Sequence, residues 1–285
     1  MILETDKIIA KKENGIGWLI INNPEKRNAM SLSMREAMAV VFEEYNSDPE
    51  VRVLILKGNG GKAFISGADI SEFKNNRNNY DAEKIYAEAS AKATVAMQNF
   101  RKPIIAMIEG FCVGGGVATA ISADIRIASE DSQFAIPAAK LGLAYNYENL
   151  KCLNDLVGPA YAKQILFTGD KFDASKALEI GLVNKVVKNK DLEDATIELA
   201  QKISQNAPLT IMTAKETISQ ISKEDAERNF IKLDTMVKEC FDSEDYKEGR
   251  EAFMQKRKPI FKGCWAKFTI LNTLVYIMYK LFIIS

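Results

Sequence analysis

Lys102-Pro-Ile-Ile-Ala-Met-Ile-Glu-Gly110, then Phe111-Cys-Val-Gly-Gly-Gly116, then Val117-Ala-Thr-Ala-Ile-Ser-Ala123 carries three signals in succession. The apolar run 103–108 is short and reads as a buried strand. It runs into Glu109-Gly110, and the triplet Gly114-Gly115-Gly116 follows. The small-residue run after the triplet reads as a helix packed closely on its neighbours. Glycines at such a junction let a ligand approach the backbone and leave amide N–H groups free where negative charge is favoured. An oxyanion hole is built in this way. A tight turn that only lets helix and sheet pack would read the same, so the run alone leaves both readings open.

Working outward, residues 7–22 read as two short strands around Asn14-Gly15. Ser31 is placed to cap a helix in which Met34, Met38, Val41 and Phe42 recur at helical spacing. Val53-Leu-Ile-Leu56 is a further apolar strand, ending at Gly58-Asn-Gly-Gly61. A charged helical region runs to about Phe100, and another strand lies at Asp124-Ile-Arg-Ile-Ala128. This alternation predicts an α/β fold with a mostly parallel sheet covered by helices. From about Asn206 the pattern is helical and charge-rich. The expected organisation is a core over 1–204, a helical oligomerisation region over 205–263 and an apolar tail over 264–285.

The tail, with Phe268-Thr-Ile-Leu-Asn-Thr-Leu-Val-Tyr-Ile-Met-Tyr279 and Lys280 inside it, lies near the roughly 20-residue lower limit for a membrane span. A membrane anchor, an amphipathic helix docking on a partner subunit, and an extension past the natural end are its three readings. The first residues lack a basic segment followed by an apolar one, so no leader is expected and the location expected is cytoplasmic.

Composition narrows the chemistry. The chain has 285 residues, with 38 basic and 38 acidic side chains and no histidine. The absence of histidine excludes Ser-His-Asp and Cys-His catalysis and every His-ligated metal site. Charge balance gives no basic field for nucleic acid. Cys112, Cys152, Cys240 and Cys264 are far apart and read as thiols in a reducing compartment. No metal and no separate cofactor are expected.

A second backbone turn, Ser66-Gly67-Ala68-Asp69, follows Phe64-Ile65, with Asp69 placed to cap the next helix. Two amides converging from separate turns can hold one carbonyl oxygen, and most strongly when it becomes an enolate. Neither glycine cluster fits a nucleotide fingerprint: Gly58-Asn-Gly-Gly-Lys62 lacks the GxxxxGK[ST] spacing, and Thr119 stands where a third spaced glycine is needed.

Taken together, Asn23-Pro-Glu-Lys-Arg-Asn-Ala-Met30, Ala63-Phe-Ile-Ser-Gly-Ala-Asp-Ile70, the run 102–116, Gln133-Phe134 to Leu141-Gly142, Phe167-Thr-Gly169, Ala177, Gly181-Leu-Val-Asn184, Ser243-Glu-Asp-Tyr-Lys-Glu-Gly249 and Lys256-Arg-Lys-Pro259 resemble the crotonase (enoyl-CoA hydratase/isomerase) superfamily over roughly residues 5–263. The resemblance implies a spiral of β-β-α units with a C-terminal helical trimerisation region, assembled as a homotrimer or dimer of trimers. It implies a coenzyme A thioester as substrate. Ala68 and Gly115 match the two oxyanion donors. Arg27, Ala29, Ser66, Ala68, Asp69 and Ile70 match positions along the CoA path, and Phe261 matches the segment that helps cover CoA.

The departures are informative. Hydratases of the family carry one catalytic glutamate two residues after the third glycine, where this chain has Ala118, and a second where it has Ala138. General acid–base groups contribute on the order of 10²–10⁴-fold each, so ordinary hydration is expected to be crippled. Leu141-Gly-Leu-Ala-Tyr-Asn-Tyr-Glu-Asn149 resembles a segment of methylmalonyl-CoA decarboxylases, whose chemistry needs enolate stabilisation and no strong base. This chain departs from them at Ala68, where they carry histidine. Tyr145 is the best polar candidate in the pocket; a packed ring in a polar loop is its other reading. Glu148 is either a solvated loop carboxylate or a displaced acid/base. The function expected is enolate-stabilising, decarboxylase-like acyl-CoA chemistry. The alternatives are a hydratase/isomerase that recruits Glu148 and a non-catalytic acyl-CoA-binding scaffold.

Overall fold

A computed structural model describes residues 3–69, 80–145 and 147–263; the side chains of 80–87, 89 and 148 are outside that description. The chain divides into two compact units, Met1–Ser204 and Gln205–Ser285.

The first unit holds a six-stranded sheet in the order β1-β2-β3-β5-β7-β10 and a four-stranded sheet in the order β4-β6-β8-β9. β1 (Ile8–Glu13) and β2 (Ile16–Ile21) form the antiparallel hairpin expected around Asn14-Gly15. The chain then crosses between the sheets three times. β3 (Val53–Gly58) leads into β4 (Ala63–Ile65), β5 (Ile104–Ile108) into β6 (Phe111–Val113), and β7 (Ile125–Ser129) into β8 (Gln133–Ala135). β3, β5 and β7 pair in parallel in the large sheet, and β4, β6 and β8 in the small one. Helices follow: α2 (Tyr80–Gln98), α3 (Gly115–Ile121) and α4 (Tyr147–Thr168), the last broken at Gly158-Pro159. α1 (Leu32–Ser47) precedes β3. β9 (Phe172–Asp173), α5 (Ala174–Glu179), β10 (Lys185–Val187) and α6 (Leu192–Ser204) complete the unit. Repetition of strand, strand and helix is the spiral expected of a crotonase-like α/β fold.

Sequence reading runs the central strand into Glu109-Gly110 and places no second strand before the triplet; the structure adds one and bends the chain into it at Gly110. There φ is +68°, and a side chain would meet the Lys62 carbonyl oxygen at 2.3 Å. Only glycine makes that bend without a clash. The bend hands the chain to β6, so the triplet ends a strand of the small sheet.

Strand alternation explains the core. Leu54 and Leu56 face a cluster with Met34, Phe42 and Phe100, while Val53 and Ile55 face Trp18, Leu192 and Ala200. Both faces of β3 are therefore buried, which is why its sequence is apolar without interruption. Ser31 caps α1 as expected, its hydroxyl accepting from the Met34 amide.

The second unit is helical: α7 (Pro208–Ile221), α8 (Phe230–Phe241) and α9 (Glu244–Met254). Ser243 caps α9. The segment after α9 folds back onto it through backbone–carboxylate bonds. Asp245 accepts from the amides of Lys262 (2.7 Å) and Gly263 (2.9 Å). Glu248 accepts from Ile260 N–H (2.8 Å) and forms a two-pronged pair with Arg257 (2.6 and 2.8 Å). That guanidinium holds the Glu248 carboxyl down at about 2. Phe261 packs against Gly249 and lines an apolar groove of about 680 Å³ with Leu209, Val237, Phe241 and Phe253. Among the described residues no helix is long and apolar enough to cross a membrane; the tail 264–285 lies outside them.

Candidate active site

Two turns meet because two short strands do. β4 and β6 are hydrogen-bonded neighbours in parallel, Ala63 opposite Phe111 and Ile65 opposite Cys112. Their carboxyl ends are therefore adjacent, on the order of 5 Å apart. Ser66-Gly67-Ala68-Asp69 leaves one end and Gly114-Gly115-Gly116 leaves the other. Gly116 seals the contact: a methyl group built on it would lie 2.1 Å from the Ile65 carbonyl oxygen. Alanine cannot stand there unless strand β4 moves. Gly114, with φ +56°, turns the chain into α3. Among the described residues, neither the Ala68 N–H nor the Gly115 N–H has a hydrogen-bond acceptor, and both residues are partly exposed. Two such donors on neighbouring turns can share one oxygen atom.

The first turn is braced from the loop before α1. Met30 bridges to Ala68: its N–H donates to Gly67 O (2.9 Å), and its carbonyl accepts from Asp69 N–H (3.0 Å). Asn28, fully buried at φ +57°, donates to Asn59 O (2.9 Å) and Ala63 O (2.6 Å) and accepts from Asn23 N–H (2.9 Å). A non-glycine residue tolerates that backbone when its amide side chain bonds locally, as asparagine does. Asn23 in turn holds Ala29 O at 2.9 Å.

The expected CoA-path residues lie along this loop and turn. Ala29 is buried, and Ser66 donates to Lys26 O at 3.3 Å. The Asp69 carboxylate is buried and pairs with Lys26 at 2.8 Å; the helix it was expected to cap begins outside the described residues, as does Ile70. Arg27 sits with its guanidinium carbon 5.3 Å from the Phe111 ring centre, and Lys171 Nζ lies 5.0 Å from the same centre. Two cations on one aromatic ring form a positively charged ledge beside β6.

Beyond the second turn lies a small cavity of about 10 Å³, lined by Gly114, Ala118, Ile136, Tyr145, Leu153 and Leu166 among others. It has room for about one water molecule. The Tyr145 hydroxyl lies 3.8 Å from a methyl group built on Gly114. Burial pushes the Tyr145 phenol above its ordinary pKa, so near neutral pH it is a hydrogen-bond donor and not a phenolate. Ala138 is buried in the turn Pro137–Leu141 after β8. Tyr145 and Ala118 thus share one cavity wall. Glu148 falls in the first turn of α4; its side chain is outside the described residues. Phe261 belongs to the second unit. Among the described residues no cluster of three metal-ligating side chains occurs.

One residue at this site escaped the sequence reading. Arg35 lies on α1, half-buried, with Nη2 3.6 Å from a methyl group built on Gly115. In the sequence it stands beside Glu36, four residues after the cap; that spacing, one helical turn from the segment joined to Ala68, was the available signal.

Known proteins resemble the chain over most of its length. The Enoyl-CoA hydratase/isomerase family profile matches residues 11–264. A short-chain-enoyl-CoA hydratase of Clostridium acetobutylicum is 37% identical over 256 residues, covering 90% of this chain and 97% of its own. A methylmalonyl-CoA decarboxylase of Escherichia coli is 33% identical over 253 residues, covering 88% and 95%. The crystal structure of an enoyl-CoA hydratase/carnithine racemase from Magnetospirillum magneticum superposes with a TM-score of 0.87 at 34% identity, covering 92% and 97%. This chain belongs to the enoyl-CoA hydratase/isomerase family, the crotonase superfamily of acyl-CoA enzymes.

Proposed function

We propose that this chain stabilises the enolate of an acyl-CoA thioester between the Ala68 and Gly115 amides and that its reaction is a decarboxylation, not a hydration. The observation that carries this reading is the pairing of two unengaged amides with alanine at 118 and 138. Two donors able to polarise a thioester carbonyl accompany methyl groups where hydratases of the family carry the side chains that activate and deliver water. In the proposed step the bond between the α-carbon and its carboxylate breaks. Its electron pair moves into the thioester to give the enolate, whose oxygen accepts from both amides, and CO₂ departs. The enolate then takes a proton on the α-carbon, from the Tyr145 hydroxyl or from solvent. No strong base is required. The Arg27 and Lys171 ledge supports a polyanionic carrier such as coenzyme A.

Hydration that recruits Glu148 is the competing chemistry, and crotonyl-CoA tests it. The expected result is slow hydration, unchanged in Glu148→Gln. Rapid hydration that Glu148→Gln abolishes would overturn the proposal.

The assembly proposed is a homotrimer or dimer of trimers. Phe230, Ile231 and Phe253 in the second unit are 58%, 82% and 86% exposed, apolar surface that a protein contact would cover. Light scattering should give a mass of three or six chains; a monomer would contradict it.

A further inference from the structure

We propose that the apolar tail, residues 264–285, docks in the groove of its own helical unit and covers it. The groove, about 680 Å³, is walled by Leu209, Val237, Phe241, Tyr246, Phe253 and Phe261 among others. Phe241 and Phe253 on its walls are 58% and 86% exposed. Apolar surface gathered in this way marks a place where another segment binds. Phe230 and Ile231 are not among the lining residues, so a docked tail leaves them for contacts between copies.

The described chain stops at the wall of this groove. The Phe261 ring lies on Gly249, 3.5 Å from the place of a Cβ. The next two amides, those of Lys262 and Gly263, donate to the buried Asp245 carboxylate, and Asp245 also lines the groove. The tail therefore starts from a fixed point beside the groove. A chain advances at most about 3.6 Å per residue, so Phe268, five residues on, lies within about 18 Å of that point. A segment tethered this closely meets the groove at an effective concentration on the order of millimolar. A second copy must compete at its bulk concentration.

The tail's own sequence suits a groove better than a bilayer. Leu271, Leu274, Val275, Met278 and Phe282 recur at the spacing of one helical face. That is the pattern of anchors by which an amphipathic helix fills an apolar groove. Thr269, Asn272, Thr273, Tyr276 and Lys280 repeat the same spacing on a second, polar face. A membrane span is apolar all round, whereas a docked helix keeps such a polar stripe toward water.

Two measurements test this. With p-benzoylphenylalanine in place of Phe253 in the full chain, irradiation should join position 253 to a peptide from 264–285 at the mass of a single chain under denaturing conditions. Ending the chain at Gly263 should raise the fluorescence of the apolar dye ANS roughly threefold or more, because the groove is uncovered. Phe241→Asp, at an exposed wall position, should raise it similarly in the full chain with little change in the thermal melt. A link that doubles the chain mass would give the groove to a second copy. No link at all, unchanged dye fluorescence in both variants, or flotation of the full chain with phosphatidylcholine vesicles would place the tail elsewhere. Each of these results overturns the proposal.

Discussion

Gly115→Pro is expected to lower kcat on any acyl-CoA the enzyme turns over by about 10²–10³-fold, the usual effect of removing one oxyanion donor. The substitution is close to a clean deletion of a single N–H. Gly115 is the first residue of α3, a position where proline is accepted because its missing N–H has no helical partner and its fixed φ suits the first turn. Space is also available, since the nearest atom to a Cβ there is Arg35 Nη2 at 3.6 Å, an ordinary contact. Steady-state kinetics beside a thermal melt checks the prediction. A folded variant with full activity would show that the Gly115 amide does not hold the thioester oxygen.

Tyr145→Phe is expected to lower CO₂ release by about 10²-fold with little change in KM, the lower end of what a positioned proton donor contributes. The hydroxyl lies 3.8 Å from the Cβ position of Gly114, in the cavity that Ala118 also lines. Its pH dependence follows from its environment. Burial raises the phenol pKa, so the donor form persists further into alkali than an ordinary tyrosine would allow. The wild-type profile should show no acid limb from this group, and any loss due to it should come only on the alkaline side. Phenylalanine should remove that alkaline limb together with the rate. An unchanged kcat in Tyr145→Phe would reduce Tyr145 to a packed ring.

Local signals made much of this legible from the amino acids. The hairpin at Asn14-Gly15, the Ser31 cap and the apolar strands of the large sheet each rest on neighbours in sequence, and the structure has them. Both turns at the site were visible because glycine at a strand end marks a sharp turn or a close backbone approach. The small sheet was not legible. β4, β6 and β8 are three residues each, too short to show a period of two, and the bend at Gly110 that leads into β6 is kept to glycine by the Lys62 carbonyl, distant in sequence. Asn28 was legible as part of a motif but not as its brace, because its partners at 59 and 63 are far along the chain. Arg35 was missed for a related reason: a single charge on a helix reveals its neighbour only when the sheet has brought Gly115 to it.

The central claim is that an intact pair of oxyanion amides works here without the two acid/base side chains of a hydratase. The most direct measurement is the mass of the products after incubating the purified chain with methylmalonyl-CoA and, separately, crotonyl-CoA. The account predicts propionyl-CoA and CO₂ from the first and little hydrated product from the second. Intact methylmalonyl-CoA alongside rapid hydration of crotonyl-CoA would contradict it, and binding of both thioesters with turnover of neither would mark a non-catalytic scaffold instead.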